Sequence, residues 1–325
     1  MILVGQTDLA TRTADGDVSA CARLMTWAER GDARYAELAC GFADRLGSAV
    51  RIGVTGPPGA GKSTLVDGLV RAWRGADRSV GVVAVDPSSP FTGGALLGDR
   101  VRMADLTLDP GVFIRSMATR GEFGGLARAT DDVADVLDLA GYDVVLLETV
   151  GVGQSEVDVA RSCDVTLVVL HPGAGDTIQA MKAGLLEAAD LYVVNKDDLP
   201  GGDALVAQLE EALELRGEGG SRATRPPILR ASAAGGEGVV ELADQLLATV
   251  EGSRADGSLQ RRRDQNLSRR VRRLVEGRLL QRAWVDQGLA ERLDLAMADG
   301  VTLSAHALAR TLLDDQGDDE ASLLP

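Results

Sequence analysis

Between positions 50 and 250, short apolar runs alternate with stretches of helical periodicity. Most of the short runs are apolar throughout, which is typical of strands buried on both faces of a parallel sheet. A helical stretch after each strand is the pattern of repeated βαβ units. The chain is therefore predicted to be an α/β protein with a mostly parallel sheet flanked by helices, and its candidate strands are residues 51–55, 80–85, 112–115, 142–147, 165–170, 191–194 and 228–231.

Helical patterns also flank this central region. Residues 18–30 and about 33–46 are predicted helices, whereas residues 1–16 carry no periodic pattern and are expected to be frayed. After the central region, residues 251–263 are interpreted as a linker. A helix through Leu267, Val271, Val275 and Leu279 follows, then helices over about 289–298 and up to about 313. Thr302 or Ser304 is expected to cap the last helix, and residues 314–325 form an acidic tail.

Four parts result from these patterns. Residues 1–48 form an N-terminal helical extension, 49–250 the main α/β domain, 251–263 the linker, and 264–325 a C-terminal helical arm with its tail. We expect the N-terminal helices to pack on the main domain. The apolar stripe of the arm has two candidate partners, its own domain or a second copy of the chain, and we favour a dimer arm.

A glycine-rich loop between the first strand and the next helix carries the clearest chemistry. Its sequence matches G-x-x-x-x-G-K-S, the phosphate-binding P-loop, and it stands between strand and helix as that motif requires. Backbone N–H groups of such a loop surround an anion, Lys62 is predicted to reach the β- and γ-phosphates, and the Ser63 hydroxyl to bind Mg²⁺. The alternative is a turn that binds nothing. The predicted contacts are Gly56, Gly59, Ala60, Gly61, Lys62, Ser63 and Thr64.

Acidic residues follow two later strands. Glu148 ends the apolar run of residues 142–147 and precedes Gly151, the arrangement of a Walker B carboxylate and a glycine that senses the γ-phosphate. Many GTPases have Asp at this position, and the longer Glu suggests contact with the metal through water. Asp86 follows residues 80–85 and is either a metal-linked acid or a helix cap. Gln154 is the candidate for orienting the attacking water, although no motif identifies a residue for that role.

The base-recognition motif is Asn195-Lys196-Asp197-Asp198, an N-K-x-D at a strand end. A carboxylate at Asp198 can accept hydrogen bonds from both N1–H and the 2-amino group of guanine, which adenine cannot offer. Unmatched buried polar groups reject such an analogue strongly. Ser232, Ala233 and Ala234 follow the next strand, where a GTPase places backbone N–H groups on the guanine carbonyl. The sequence therefore predicts a guanine-nucleotide site.

Composition limits the remaining functions. The chain has 325 residues, a formal net charge of −15 and a pI near 4.6, which argues against nucleic-acid partners. It has neither an apolar run of membrane-spanning length nor the pattern of a signal peptide, and its three cysteines are expected to be reduced and buried, so a cytoplasmic location is predicted. Lysine occurs only at Lys62, Lys182 and Lys196. Lys182 is therefore a candidate functional residue, with a solvated helix lysine as the alternative.

The chain resembles the MeaB/ArgK family of P-loop GTPases, bacterial relatives of the human methylmalonic aciduria type A protein. The matching stretches lie between about 52 and 199, and they are GVTGPPGAGKSTL, VAVDPSSPFTGGALLGDR, RSMATRGEFGGLA, ETVGVGQSE, HPGAGD…MKAG and VNKDDL. The resemblance implies a SIMIBI-like GTPase chaperone that loads and protects an adenosylcobalamin-dependent acyl-CoA mutase such as methylmalonyl-CoA mutase. It also implies a homodimer formed through the C-terminal arm.

The same resemblance implies particular sites. Mg²⁺ is expected near Ser63, Asp86, Asp99 and Glu148, and switch loops near residues 86–100 and 148–157. A further mobile loop near 171–182 would hold Asp176 and Lys182 and would relay the nucleotide state to the mutase.

Two other functions fit parts of the pattern. A nucleotide-dependent kinase, of the kind once assigned to lysine/arginine/ornithine transport systems, would need an acceptor site and an arginine-rich lid, and neither is evident. A nickel-inserting GTPase would need stretches rich in His or Cys, and this chain has two His and three scattered Cys. We therefore expect a GTP-hydrolysing switch with slow intrinsic turnover.

Overall fold

A computed structural model describes residues 3–86, 105–118, 125–149, 162–173, 189–217, 225–298 and 304–314. The chain divides into two compact units, Met1–Asn266 and Leu267–Pro325. In the parts of the chain that are described, no helix is both long and apolar enough to cross a membrane.

The first unit is built on a seven-stranded sheet. Its strands are β1 (Val50–Thr55), β2 (Val80–Asp86), β3 (Val112–Ala118), β4 (Val144–Thr149), β5 (Val165–Leu170), β6 (Leu191–Val194) and β7 (Ile228–Arg230). All pairs are parallel, in the order β3-β2-β4-β1-β5-β6-β7. The predicted parallel α/β fold is confirmed, and every predicted strand is present with its ends shifted by three residues at most.

Helices cover both faces of the sheet. They are α4 (Lys62–Gly75), α5 (Gly125–Leu139), α6 (Gly202–Gly217) and α7 (Val239–Ala255). Side chains of α4 and α7 form one apolar core with β1, β4 and β5, and side chains of α5 and the N-terminal helices form another with β2 and β4. Burial on both faces explains why the strands are apolar throughout.

The N-terminal extension is helical from near its start. It contains α1 (Leu3–Ala14), α2 (Val18–Arg30) and α3 (Ala33–Phe42), followed by a short 3₁₀ turn (Ala43–Arg45). The expectation that residues 1–16 are frayed is wrong, because α1 packs against α2 and α3 although its own sequence has little periodicity. Asp17 and Asp32 cap α2 and α3 by accepting backbone hydrogen bonds, and Gly31 ends α2 in a left-handed conformation.

The segment predicted to be a linker is also helical. Residues 251–263 fall in α7 and in α8 (Ser258–Gln281), with Gly257 at φ +72° in the turn between the two helices. Arg262 and Arg263 of α8 bind carboxylates of the α/β domain, so these arginines are part of its packing rather than solvated linker residues.

The second unit begins within α8 and is helical in most of its described residues. A π-helical turn (Arg282–Asp286) follows, and then α9 (Leu289–Ala298) and α10 (Ala305–Asp314). Ser304 caps α10, as its Oγ accepts a hydrogen bond from Ala307 N at 3.3 Å. The alternative cap Thr302 and the acidic tail from residue 315 lie outside the described residues.

Candidate functional site

The P-loop joins β1 to α4 at the carboxyl edge of the sheet, and two of its glycines are required by close packing. Gly56 has φ +142°, and a Cβ on it would lie 2.1 Å from the carbonyl oxygen of Val169. Gly61 has φ +86°, and a Cβ there would lie 2.5 Å from Asn195 Nδ2. Side chains at these positions would displace the loop from β5 and from the N-K-x-D segment.

Lys62 begins α4 and is 6% exposed. Its Nζ donates hydrogen bonds to the carbonyl oxygens of Gly56 at 2.8 Å and Pro57 at 3.0 Å. The ammonium is therefore held within the concave loop, where a phosphate group would accept hydrogen bonds from it. Thr64 stands two residues further along in the first turn, with its side chain exposed.

Ser63 and Glu148 meet on one side of the P-loop. Glu148 lies on β4, directly beside Val54 of β1, and accepts a hydrogen bond from Ser63 Oγ to Oε1 at 2.7 Å. The carboxylate is nearly buried, with 4% of the residue exposed. A hydroxyl and a carboxylate at this separation are the hard oxygen donors that Mg²⁺ prefers, so the residues present fit this metal.

The other predicted metal and switch residues are only partly described. Asp86 ends β2, the neighbour of β4, so its backbone stands at the same edge of the sheet as Glu148, while its side chain lies outside the description. Asp99, Gly151, Gln154, Asp176 and Lys182 lie outside the described residues. Among the side chains that are described, no group of three or more His, Cys, Asp or Glu residues is placed to hold a metal.

The N-K-x-D segment approaches the P-loop from the other side. The Asn195 side chain donates from Nδ2 to the carbonyl oxygen of Ala60 at 2.8 Å and accepts at Oδ1 from the backbone N–H of Ala233 at 3.0 Å. One buried amide therefore connects the phosphate loop, the N-K-x-D segment and the turn after β7. Lys196 follows with φ +59°, and a Cβ on Gly61 would lie 3.7 Å from its Cε.

Asp198 is the exposed end of this segment. Its Oδ1 accepts a hydrogen bond from the hydroxyl of Ser232 at 2.6 Å, which orients the carboxylate. Ala233 and Ala234 continue the turn after Ser232, with Ala234 exposed. The structure thus brings the P-loop, Glu148, Asn195, Asp198 and the residues after β7 together at one edge of the sheet.

Two connections could not be derived from the motifs themselves. The motifs mark Asn195 for base recognition, yet its side chain contacts protein backbone on two loops. Thr149, adjacent to Glu148, donates from Oγ1 to Thr55 Oγ1 at 3.1 Å, which ties the end of β4 to the end of β1. The available signal is positional, since both threonines end apolar runs that lead into motif residues.

The cysteines differ from the expectation in one respect. Cys21 and Cys163 are buried, but Cys40 is exposed, and none of the three is joined in a disulfide. Burial raises the pKa of the Cys21 thiol to about 12, with the Arg115 charge opposing it, so this thiol stays protonated at neutral pH.

Comparison with known proteins gives a consistent result. Residues 21–288 match the sequence model of the family described as methylmalonyl-CoA mutase-associated GTPase MeaB. A proposed GTPase of Pyrococcus abyssi is 45% identical over 83% of this chain and 84% of its own length. The mitochondrial methylmalonic aciduria type A homolog of Mus musculus is 37% identical over 75% of this chain and 60% of its own length. A crystal structure titled LAO/AO transport system kinase superposes with a TM-score of 0.71 at 29% identity, covering 96% of this chain and 97% of that one.

Proposed function

Since this chain belongs to the MeaB family of methylmalonyl-CoA mutase-associated GTPases, we propose that it binds GTP, hydrolyses it to GDP and phosphate, and uses the nucleotide state to control an adenosylcobalamin-dependent acyl-CoA mutase. The control would consist of gating cofactor loading and protecting the loaded mutase. The family assignment confirms the resemblance found in the sequence, and the particular mutase, the cofactor step and the hydrolysis itself are our proposals.

One observation carries the nucleotide part of the proposal. Asn195 connects Ala60 of the phosphate loop to Ala233 of the turn after β7 through hydrogen bonds of 2.8 and 3.0 Å. The two loops are thereby held at a set separation along the carboxyl edge, which is where open parallel sheets bind ligands. This supports a site with phosphate recognition at one loop and base recognition at the other. Asp198 at the base end supports guanine, because its carboxylate can accept from both guanine donors.

The residues at the phosphate end have separate proposed roles. Lys62 would exchange its loop carbonyl partners for phosphate oxygens and offset the charge that develops during transfer. Ser63, Glu148, Asp86 and Asp99 would hold Mg²⁺, which neutralises phosphate charge when bound. Gly151 would donate its N–H to the γ-phosphate, and Gln154 would orient the attacking water.

The partner contacts are also proposed. Asp176 and Lys182 would relay the nucleotide state to the mutase from the loop near residues 171–182. A second copy of the chain would cover the apolar side chains of α8, which recur every fourth residue at Leu267, Val271, Val275 and Leu279 and are 49–61% exposed. Helical spacing places these four side chains on one stripe, the arrangement expected of a dimer arm.

Single-turnover hydrolysis tests the enzymatic proposal. Purified protein is mixed with radiolabelled GTP and Mg²⁺, alone and with methylmalonyl-CoA mutase, and phosphate release is followed. We expect slow release alone and stimulation of at least about tenfold by the mutase, because ordering of switch loops by a partner is a common means of accelerating such enzymes. Equal rates with and without mutase over a full titration would contradict the chaperone role.

A kinase remains the second candidate, because the structure with the TM-score of 0.71 carries a kinase title. The two proposals differ in the fate of the γ-phosphate. Transfer of label to a protein or small-molecule acceptor, at a rate equal to GTP consumption, would favour the kinase, and release as inorganic phosphate favours the GTPase.

A further inference from the structure

The segment after β6 has an unusual backbone that needs support. Lys196 adopts φ +59°, which is unfavourable for a residue with a side chain and persists only where surrounding contacts fix it. The supporting contacts come from the end of β7. Asp197 N donates to the carbonyl oxygen of Ala231 at 3.1 Å, and the Ser232 hydroxyl donates to Asp198 at 2.6 Å. Consecutive residues of one segment therefore hold consecutive residues of the other.

Arg230, the last residue of β7, adds a charged contact to this segment. Its Nε lies 3.5 Å from Asp197 Oδ1, and its guanidinium also pairs with Asp203 in the first turn of α6. Gly202 packs against the same carboxylate, as a Cβ there would lie 2.4 Å from Asp197 Oδ1. Asp197 is thus held between Arg230 and the turn that begins α6.

The contact at Asp197 matters because Asp198 follows it directly in the chain. Asp198 can accept from both guanine donors only while its carboxylate faces the base. By holding Asp197, Arg230 helps to fix the backbone that carries the Asp198 carboxylate. Neither the N-K-x-D motif nor the Ser232-Ala233-Ala234 segment includes this arginine.

We propose that Arg230 is a positioning residue for guanine recognition, acting through Asp197 on the orientation of Asp198. The inference rests on the proposed function, since it presupposes that guanine binds at Asp198.

Calorimetry with two nucleotides tests the proposal. GDP is compared with inosine diphosphate, which lacks the 2-amino group that Asp198 would accept. We expect Arg230→Gln to raise the Kd for GDP about fivefold, the size of one partly exposed ion pair, and to raise the Kd for inosine diphosphate less. The ratio of the Kd for inosine diphosphate to the Kd for GDP should then fall. A merely structural role would weaken the binding of both nucleotides equally and leave this ratio unchanged.

Arg225 supplies the matched control. Its side chain is 40% exposed against 42% for Arg230, and it pairs with Glu210 and Glu214, which also lie on α6. Arg225→Gln removes a comparable surface pair away from Asp197, so both Kd values should equal those of the unaltered protein.

A double-mutant cycle with Asp197→Asn tests whether Arg230 acts through Asp197. If Arg230 acts through Asp197, the double variant binds GDP like Asp197→Asn alone. Additive losses, or an Arg230→Gln variant that keeps the original Kd ratio, would overturn the inference. An unaltered protein that binds no GDP would instead refute the proposed function, so the two failures are distinct.

Discussion

The two edges of the parallel sheet use polar residues in opposite ways. At the edge where strands begin, Arg and Asp side chains pair with one another through two hydrogen bonds each. Arg263 makes two hydrogen bonds to Asp164, at 2.8 and 2.6 Å, immediately before β5, and Arg262 makes two to Asp190, at 2.6 and 2.7 Å, immediately before β6. At the edge where strands end, Lys62 and Asn195 instead donate hydrogen bonds to backbone carbonyl oxygens of the P-loop.

This contrast separates buried charge from function. Burial alone would lower the pKa of Arg51, but the nearby carboxylates of Asp135 and Asp138 outweigh it and raise that pKa above its ordinary value. Perturbed groups of this kind often mark active sites, yet ion-pair networks that only hold a fold perturb them as well. Here the most heavily paired groups lie at the edge opposite the candidate nucleotide site, and the groups at the candidate site are those that could exchange their partners for a ligand.

We call the edge where strands begin the closed edge and the edge where strands end the open edge. The largest effect is expected where an ion pair of the closed edge is broken. Arg263→Gln leaves the Asp164 carboxylate, 3% exposed at its side chain, without its charged partner, and the backbone carbonyls of Gly47 and Ala49 lose their donors. Removing one member of a buried pair costs about 3 kcal/mol or more. We therefore expect the free energy of unfolding in urea to fall by that amount, while GDP affinity of the folded protein stays unchanged.

Arg261→Gln is the control for this experiment, since Arg261 is an exposed neighbour in the same helix and should change stability little. Cys163, directly before Asp164, gives a second measurement. Burial raises the pKa of its thiol well above the ordinary value, so we expect Cys163 to be protected from thiol reagents at pH 8. Arg263→Gln should speed the labelling of Cys163. A variant as stable and as protected as the control would show that the pair contributes nothing to the closed edge.

A smaller effect is expected from Asp198→Asn at the open edge. The amide still accepts from Ser232, so stability should change by less than about 0.5 kcal/mol. It can no longer accept both guanine donors, so the Kd for GDP should rise about tenfold or more, and xanthosine diphosphate should bind better because the amide can donate to its 2-oxo group. Calorimetry with both nucleotides measures this exchange. Equal GDP affinity in the two proteins would remove Asp198 from the site.

The sequence predicted the open edge better than the closed edge, for a physical reason. Strands buried on both faces are apolar throughout, and the motifs at their ends stand in a fixed order, so the strands, the P-loop, Glu148 and Asn195 were all recognisable. The contacts between motifs depend on strand order, which places β4 and β5 on either side of β1. No local pattern specifies that order, and so the bond from Ser63 to Glu148 emerged only from the structure.

The closed edge gave misleading local signals. Glycine, serine and arginine near residues 251–263 suggest a solvated linker, because arginine is usually exposed. Arg262 and Arg263 pair instead with Asp190 and Asp164, which are about 70 to 100 residues away in the sequence. The acids do carry one recognisable feature, since Asp143, Asp164 and Asp190 each stand directly before an apolar strand. Helix α1 escaped prediction similarly, because contacts with α2 and α3 stabilise it more than its own periodicity.

The smallest effect concerns a buried polar group that lacks a hydrogen bond. Trp73 lies in the last turn of α4, is 2% exposed, and its indole N–H has no hydrogen-bond acceptor among the described residues. Such a buried donor costs about 1–3 kcal/mol, and phenylalanine would relieve that cost while leaving a cavity that costs a similar amount. The two terms oppose each other, so Trp73→Phe should change the free energy of unfolding by less than about 1 kcal/mol.

Trp27→Phe serves as the comparison, because Trp27 is also largely buried but its ring lies against the guanidinium groups of Arg23 and Arg34, at 5.4 and 4.2 Å. It should lose about 0.5–1 kcal/mol of cation–π attraction in addition to packing. Urea unfolding of both variants measures the difference. A loss above about 2 kcal/mol for Trp73→Phe would mean that the indole N–H is hydrogen-bonded in solution, because packing alone is nearly offset by the relief of an unmatched donor. Trp73 would then be no exception, and the buried indole N–H in the helix after the P-loop would be hydrogen-bonded like other buried polar groups.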